Sequence, residues 1–220
     1  MRASVLLAAV AALALPAPAL AQEQAPQPRC GLSFSDPAND STSQVPTQAR
    51  ALPPALDITR VFFDHAPGRA GATTVNIRVR DLSTALPLGT TSINWTAVWL
   101  SPAGNQRFVR AVADYQGSVI FEFGEAIVQG ITRFEPRGVT TGKLFPGPDG
   151  VVSIAIPDTW DGAAGTLLDG IYVQASEGRQ VIPNAVSSPT RGLSQQADRA
   201  PDGTDIKAWT IAGCPPPTAT

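Results

Sequence analysis

The chain has 220 residues, of which 15% are charged, and its formal net charge is −2 at pH 7. Because the chain is nearly neutral and its basic residues are scattered, it lacks the electrostatic character of a nucleic-acid-binding protein, and we expect no nucleic-acid partner. The 19 glycines and 21 prolines are typical of a turn-rich β protein.

Residues 1–21 have the layout of a secretory signal peptide. Arg2 supplies a positive charge, Val5 to Leu15 is apolar, and Ala19 to Ala21 supplies small residues for cleavage before Gln22. The apolar stretch is shorter than the ~20 residues that a membrane-spanning helix needs, and no later stretch reaches that length. We therefore expect a secreted or periplasmic protein without a membrane span.

The rest of the chain divides into a Gln/Pro-rich flexible segment at 22–29, one domain at 30–214 and a Pro-rich tail at 215–220. The two cysteines, Cys30 and Cys214, lie at the two ends of that domain. In an oxidising compartment an intramolecular disulfide between them is favoured, and two free thiols or a bridge between chains are the alternatives.

The hydrophobic pattern predicts a series of β-strands. Residues from Cys30 to about Leu56 form a coil with a short strand near Leu32 to Phe34, and 183–204 is an excursion between strands. The clear strands are predicted at 56–64, 73–81, 93–100, 107–113, 118–123, 151–156, 167–176 and 205–211.

Two further segments are less clear. Glu125 to Phe134 fits a strand as well as a short helix, and Val139 to Leu144 is a weaker strand. With no long helix in the pattern, the fold class is all-β. We expect a single antiparallel β-sandwich, jelly-roll or immunoglobulin-like, of about eight to ten strands.

Several catalytic and cofactor sites are excluded by composition. The single histidine, His65, cannot supply a three-histidine zinc site, and we interpret it as a surface turn residue. No serine lies in a G-x-S-x-G elbow, and no glycine-rich nucleotide motif is present. Met1 is the only methionine and leaves with the signal, so a haem held by His and Met is excluded.

Paired carboxylates of the kind used in glycoside hydrolysis are a remaining catalytic option. The candidates are Glu122, Glu125 and Glu135. Glu122 is better explained as a solvent-facing strand residue, because Phe121 and Phe123 take the buried phase of that strand.

An acidic stretch precedes the first clear strand. Clustered carboxylates and loop carbonyls supply the six to eight oxygen ligands that Ca²⁺ takes in flexible geometry. We therefore predict a Ca²⁺ site whose ligands are Asp36, Asn39, Asp40 and Asp57, with Asp81 near them if the second strand pairs with the first. The alternative is that these residues cap turns.

Tryptophans suggest a second kind of site. Trp95 and Trp99 lie on one face of a strand about 13 Å apart, and core packing is favoured over sugar stacking because that strand is apolar in both phases. Trp160 lies in a loop between Asp158 and Asp161. If exposed, these three residues form a ligand-binding candidate; the alternative is that Trp160 plugs one end of the sandwich.

Four short motifs carry a resemblance to β-sandwich modules of exported prokaryotic proteins. They are D-P-x-x-D at 36–40, L-D-I-T at 56–59, R-D-L at 80–82 and A-D-R-A-P-D at 197–202. The chain is similar, over most of 30–214, to the DOMON and family-9 carbohydrate-binding sandwiches, some of which accompany subtilases. This resemblance implies a non-catalytic jelly-roll-like module with a ligand-binding or adhesive role and, in some members, calcium.

The resemblance has two departures. The His/Met pair of the haem-binding DOMON branch is missing, and the sugar-binding aromatics of the family-9 modules cannot be placed residue by residue. The sequence predicts an exported, non-enzymatic binding module, stabilised by Ca²⁺, whose partner is a glycan or another exported protein. The alternatives are a carboxylate-based hydrolase and a structural envelope or matrix protein that assembles through edge strands.

Overall fold

The structure is a computed structural model that describes residues 23–29, 31–41, 52–66, 73–82, 90–129, 131–179, 193–202 and 205–212. These ranges contain fourteen strands and two 3-10 helices. The strands are β1 (Ser33–Ser35), β2 (Ile58–His65), β3 (Thr73–Val79), β4 (Asp81–Leu82), β5 (Thr90–Leu100), β6 (Gln106–Asp114), β7 (Val119–Gln129), β8 (Ile131–Val139), β9 (Gly142–Phe145), β10 (Gly147–Pro148), β11 (Val151–Ile156), β12 (Leu167–Arg179), β13 (Leu193–Ala200) and β14 (Lys207–Thr210). The helices are Pro54–Leu56 and Asp158–Trp160.

The strands form two large antiparallel sheets that pack against each other. One sheet has five strands in the order β1-β2-β3-β11-β9, and the other has seven, in the order β13-β12-β5-β6-β7-β8 with β14 also paired to β12. Strands β4 and β10 form a small two-stranded sheet. The predicted all-β antiparallel sandwich is confirmed. The fourteen described strands exceed the expected eight to ten by at least four. Three of the extra strands, β1, β4 and β10, have only 2 or 3 residues, too few to show a hydrophobic period, and the fourth is β13.

Alternate side chains of the two sheets fill the space between them. Val75, Ile77 and Val79 of β3 are buried, as the alternation of their sequence predicts. Trp95 and Trp99 of β5 are each 1% exposed and belong to the same core. The prediction that these two tryptophans pack in the core is confirmed.

Strand β13 lies where an excursion was expected. It pairs with β12 from Val173 to Arg179. Its sequence, LSQQADRA, is rich in polar residues and alanine, so its strand conformation comes from main-chain pairing rather than from a readable hydrophobic period. The ambiguous segment from Glu125 to Phe134 is also strand, since it spans the end of β7 and the start of β8.

His65 is buried rather than exposed. It is the last residue of β2, pairs with Thr73 of β3, and is 7% exposed. Its Nδ1 lies 2.8 Å from Thr73 Oγ1, which gives the imidazole a polar partner inside the protein. The interpretation as a surface turn residue is therefore wrong, because β2 continues one residue beyond its expected end.

The N-terminal segment 23–29 contacts the five-stranded sheet. Gln27 Oε1 accepts a hydrogen bond of 2.9 Å from Arg78 Nη2 on β3. Glu23 forms an ion pair with Lys143 on β9. This segment was expected to be flexible. In the structure it has two side-chain contacts, one with β3 and one with β9.

Several predictions fall outside the described residues. These are the signal peptide at 1–21, both cysteines of the expected disulfide, Cys30 and Cys214, and the tail at 215–220. Within the described ranges, the structure contains no helix that is long and apolar enough to cross a bilayer.

Candidate metal centre

Five aspartates from three separate parts of the chain converge beside the start of β2. Asp36 and Asp40 follow β1, Asp57 immediately precedes β2, and Asp198 and Asp202 lie in and just after β13. Carboxylate oxygens of Asp36, Asp40 and Asp202 lie within 4.8 Å of one another, and the same is true of Asp40, Asp57 and Asp198. We call these five residues the acidic site.

Backbone contacts bring the three segments together. The Asp36 N–H donates a hydrogen bond of 3.0 Å to the Thr59 carbonyl, which holds the chain after β1 against β2. The Ile58 N–H donates one of 2.6 Å to Asp198 Oδ2, a residue 140 positions later. The segment after β1 and strand β13 are therefore both hydrogen-bonded to the first residues of β2.

Asp57 is fully buried, and its carboxylate is used to hold the loop. The Asn39 N–H donates to its two oxygens at 3.1 and 3.0 Å, and Arg80 Nε forms an ion pair with Oδ2 at 2.8 Å. Asn39 has a φ of 68°, a left-handed conformation that asparagine tolerates better than most residues. Asn39 thus contributes its backbone N–H to Asp57, which is a turn-forming role.

Asp36 and Asp40 are less well satisfied. Asp36 is 8% exposed, and its Oδ2 is a buried atom with no hydrogen-bond partner among the described residues. Asp40 Oδ1 is buried and lacks a partner in the same way. A carboxylate oxygen that loses its water without gaining a donor or a cation is costly. Both oxygens could therefore accept a proton, a water molecule or a cation.

Burial and mutual repulsion raise the pKa values of three of these carboxyl groups. Burial, reinforced by the neighbouring aspartates, raises the pKa of Asp36 from its ordinary 3.8 to about 8. Burial also raises the pKa of Asp198 to about 7, although the Ile58 and Arg199 N–H groups oppose that rise. The pKa of Asp40 is raised by the same two effects. The carboxylates thus oppose one another's ionisation.

The donor set indicates which cation fits. Every side chain in the acidic site offers oxygen. Zinc and copper sites in proteins use histidine nitrogen and cysteine sulfur, whereas Ca²⁺ takes oxygen ligands in flexible geometry. These oxygens could therefore hold a hard divalent cation such as Ca²⁺.

The structure brings together three of the four predicted ligands, Asp36, Asp40 and Asp57. Sequence reasoning did not include Asp198 and Asp202 among the ligands. Both residues belong to the motif A-D-R-A-P-D at 197–202. Their place in the fold could have been inferred only if β13 had been predicted as a strand. Asp81 pairs with Pro148 and belongs to neither group of described carboxylates.

Trp160 packs onto the end of the sandwich. Its ring centroid lies 5.1 Å from that of Phe123, and the Arg107 guanidinium lies 4.4 Å from the centroid. Its indole N–H donates to the Gly124 carbonyl at 3.2 Å. The indole is half-buried, because the short helix Asp158–Trp160 brings the ring against the core.

Asp161 is occupied within the protein as well. Its Oδ2 accepts the Trp99 indole N–H at 3.0 Å, and its Oδ1 pairs with Arg107 Nη1 at 2.9 Å. Asp158 is exposed. Ligand binding by Trp160, Asp158 and Asp161 stays a prediction, and it lacks the exposed aromatic on which it was based.

The carboxylates of the hydrolase alternative all face arginines. Glu122 pairs with Arg110 on the neighbouring strand. Glu125 and Glu135 lie 2.6 and 3.6 Å from the same guanidinium, that of Arg137. The pairs of Glu122 with Arg110 and of Glu125 with Arg137 join neighbouring strands, as is typical of a strand surface, whereas Glu135 and Arg137 both lie on β8.

No protein-family model matches the chain, and neither a curated protein nor a solved structure does. The resemblance to the DOMON and family-9 carbohydrate-binding sandwiches stays an expectation of the sequence, and the role of the acidic site is inferred from its own geometry.

Proposed function

We propose that the protein is an exported, non-catalytic β-sandwich module that binds Ca²⁺ at the acidic site. The observation that carries the proposal is the Asp36 carboxylate, which is 8% exposed and has an oxygen without a partner among the described residues. This carboxylate lies within ligand distance of those of Asp40 and Asp202.

Asp36, Asp40 and Asp202 are the ligands in this proposal. Their oxygens are close enough to share one ion, and the remaining positions would be filled by carbonyls and water, since Ca²⁺ takes six to eight oxygens. Asp57 and Asp198 already accept backbone N–H groups, so their main role is to orient the loop and to add negative charge.

The expected affinity is that of an extracellular module. Asp202 is exposed, so one side of the ion would face solvent. Solvent-facing calcium sites of extracellular modules have dissociation constants of about 10⁻⁴–10⁻³ M. A site of this strength is filled outside the cell and not in the cytosol, in agreement with the export signal expected at 1–21.

The non-catalytic part of the proposal is supported by the sequence. The chain has one histidine, now placed in a buried contact with Thr73, and no serine elbow. The arginine-paired glutamates of β7 and β8 have an ordinary role in strand pairing.

The test is a pair of thermal melts of the secreted form, one in EDTA and one in millimolar CaCl₂. We expect the melting temperature to rise by several degrees with Ca²⁺ and to rise less with Mg²⁺, which demands near-ideal octahedral geometry and loses its water reluctantly. Asp36→Asn should abolish the rise. The matched control is Asp169→Asn, an exposed aspartate near the start of β12. An equal rise in wild type and Asp36→Asn, or no rise at all, would sink the proposal.

A further inference from the structure

Resting on the proposed function, we propose that Ca²⁺ controls the docking of the first part of the sandwich. The β1 arm, residues 31–41, is closed onto β2 and β13 when the ion is bound and opens locally when the ion is absent. The site is therefore a switch in the fold that responds to the calcium concentration of the compartment.

The arm has little buried surface, since Asp36 is its only buried residue and Leu32 and Phe34 are partly buried against the core. Strand β1 has 3 residues and lies at the edge of its sheet, where it pairs with β2. The Phe63 N–H donates to the Leu32 carbonyl at 2.8 Å, and the Asp36 N–H donates to Thr59. Short edge segments with few buried contacts are the first to open in native proteins.

Like charges push the arm away from β13. Asp36 and Asp40 lie on the arm, and Asp198 and Asp202 lie on β13 and just after it. The Asp202 carboxylate lies within 4.8 Å of those of Asp36 and Asp40, and the Asp198 carboxylate lies within 4.8 Å of that of Asp40. A divalent cation placed between Asp36, Asp40 and Asp202 reverses the sign of this interaction, because each carboxylate is then attracted to the same ion.

The backbone of the arm also lies very close to the backbone of β2. A Cβ atom built on Gly31 would lie 1.7 Å from the Phe63 carbonyl oxygen, a contact that no side chain can make without backbone movement. Gly31→Ala is therefore a calcium-independent way to displace the arm. Since the arm carries Asp36 and Asp40, linkage requires that an undocked arm bind Ca²⁺ more weakly.

The experiment measures amide hydrogen exchange of the full secreted protein in EDTA and in CaCl₂, with peptides covering 31–41, 193–202 and β5. At a calcium concentration ten times the dissociation constant, exchange in 31–41 should slow by about tenfold. Exchange in β5 should stay much slower than in 31–41 in both conditions, which shows that the body of the sandwich stays folded. Asp169→Asn should behave like wild type.

Two variants distinguish the opening of the arm from the binding of Ca²⁺. Asp36→Asn should show the same arm exchange with and without Ca²⁺. Gly31→Ala should show fast arm exchange in both conditions and weaker calcium binding by calorimetry, with β5 still protected. If calorimetry shows Ca²⁺ binding while exchange in 31–41 is unchanged, the switch is wrong and the binding site stands. If calorimetry shows no binding, both are wrong.

Discussion

Asp198 Oδ2 accepts a 2.6 Å hydrogen bond from the Ile58 N–H, so that the end of β13 is attached to the first residue of β2. The other oxygen, Oδ1, accepts the Arg199 N–H at 2.7 Å. Asp198 is thus both a structural acceptor and a member of the acidic site, and the two roles can be separated by mutation.

Asp198→Ala removes both acceptors and leaves the buried Ile58 N–H without a partner. We expect a loss of about 1–3 kcal/mol in the free energy of unfolding, since this is the usual cost of a buried donor left unsatisfied. Urea unfolding in saturating CaCl₂ measures it. Asp198→Asn keeps one acceptor oxygen and should lose less. A stability loss that is equal in the two variants would show that charge, rather than hydrogen bonding, is what Asp198 contributes.

Asp36→Asn should have opposite effects in the two conditions. In EDTA at pH 8 we expect the variant to be at least as stable as wild type, because it removes a buried charge that other aspartates repel. In CaCl₂ it should be less stable than wild type, because a ligand is lost. Melting temperatures of wild type and Asp36→Asn, each measured in EDTA and in CaCl₂, test whether the order of stability reverses between the two buffers. A variant that is less stable than wild type in EDTA would contradict the repulsion.

Stability without metal should fall as the pH rises. The carboxyl groups of Asp36 and Asp198 have a pKa of about 8 and about 7 in the folded protein, above their ordinary 3.8. Between those values the folded state holds protons that the unfolded state has released. This contribution to stability is therefore complete below about pH 4 and is lost as the pH rises through 7 and 8.

The measurement is a series of melts in EDTA from pH 5 to pH 8. The melting temperature of wild type should decline across the series, and that of Asp36→Asn should decline less. Saturating CaCl₂ should reduce the decline, because the ion displaces the proton from its ligand Asp36. Parallel curves for the two proteins in EDTA would show that Asp36 is not responsible.

Trp160→Ala should destabilise the sandwich without affecting calcium. It removes the ring contact with Phe123 and the stacked Arg107, for which we expect a loss of about 2–4 kcal/mol, less than for a fully buried tryptophan. Tyr115→Ala is the matched truncation of an exposed aromatic, 68% exposed, and should cost under about 0.5 kcal/mol. Urea unfolding gives both values, and the Ca²⁺ dissociation constant of Trp160→Ala should equal that of wild type.

The sequence predicts best those elements whose hydrophobic pattern is complete within one short stretch of residues. Val151 to Ile156 forms a strand with the predicted bounds, because its residues are apolar and Pro157 cannot continue the ladder. Strand β13 was missed because its residues have little intrinsic β preference, and its conformation depends on β12, a partner outside any local window.

The same limit explains what was predicted of the acidic site. Asp36, Asp40 and Asp57 lie within one acidic, turn-rich region of sequence, so their proximity could be expected. Asp198 and Asp202 join them only through the pairing of β13. Sequence also could not show the contact between Trp160 and Phe123, because it depends on how a short helix closes the end of the sandwich.

The strand order of the five-stranded sheet has a consequence for how the chain folds. Strands β2 and β3 emerge early in synthesis, but β3 pairs with β11, whose residues lie at 151–156, and β2 is bonded to Asp198. Contacts between residues so distant in sequence form only after a large loop has closed, and proteins dominated by them fold in about milliseconds to seconds. We therefore expect β3 to stay unpaired on one side until β11 has been synthesised, and the hydrogen bond from Ile58 to Asp198 to form later still.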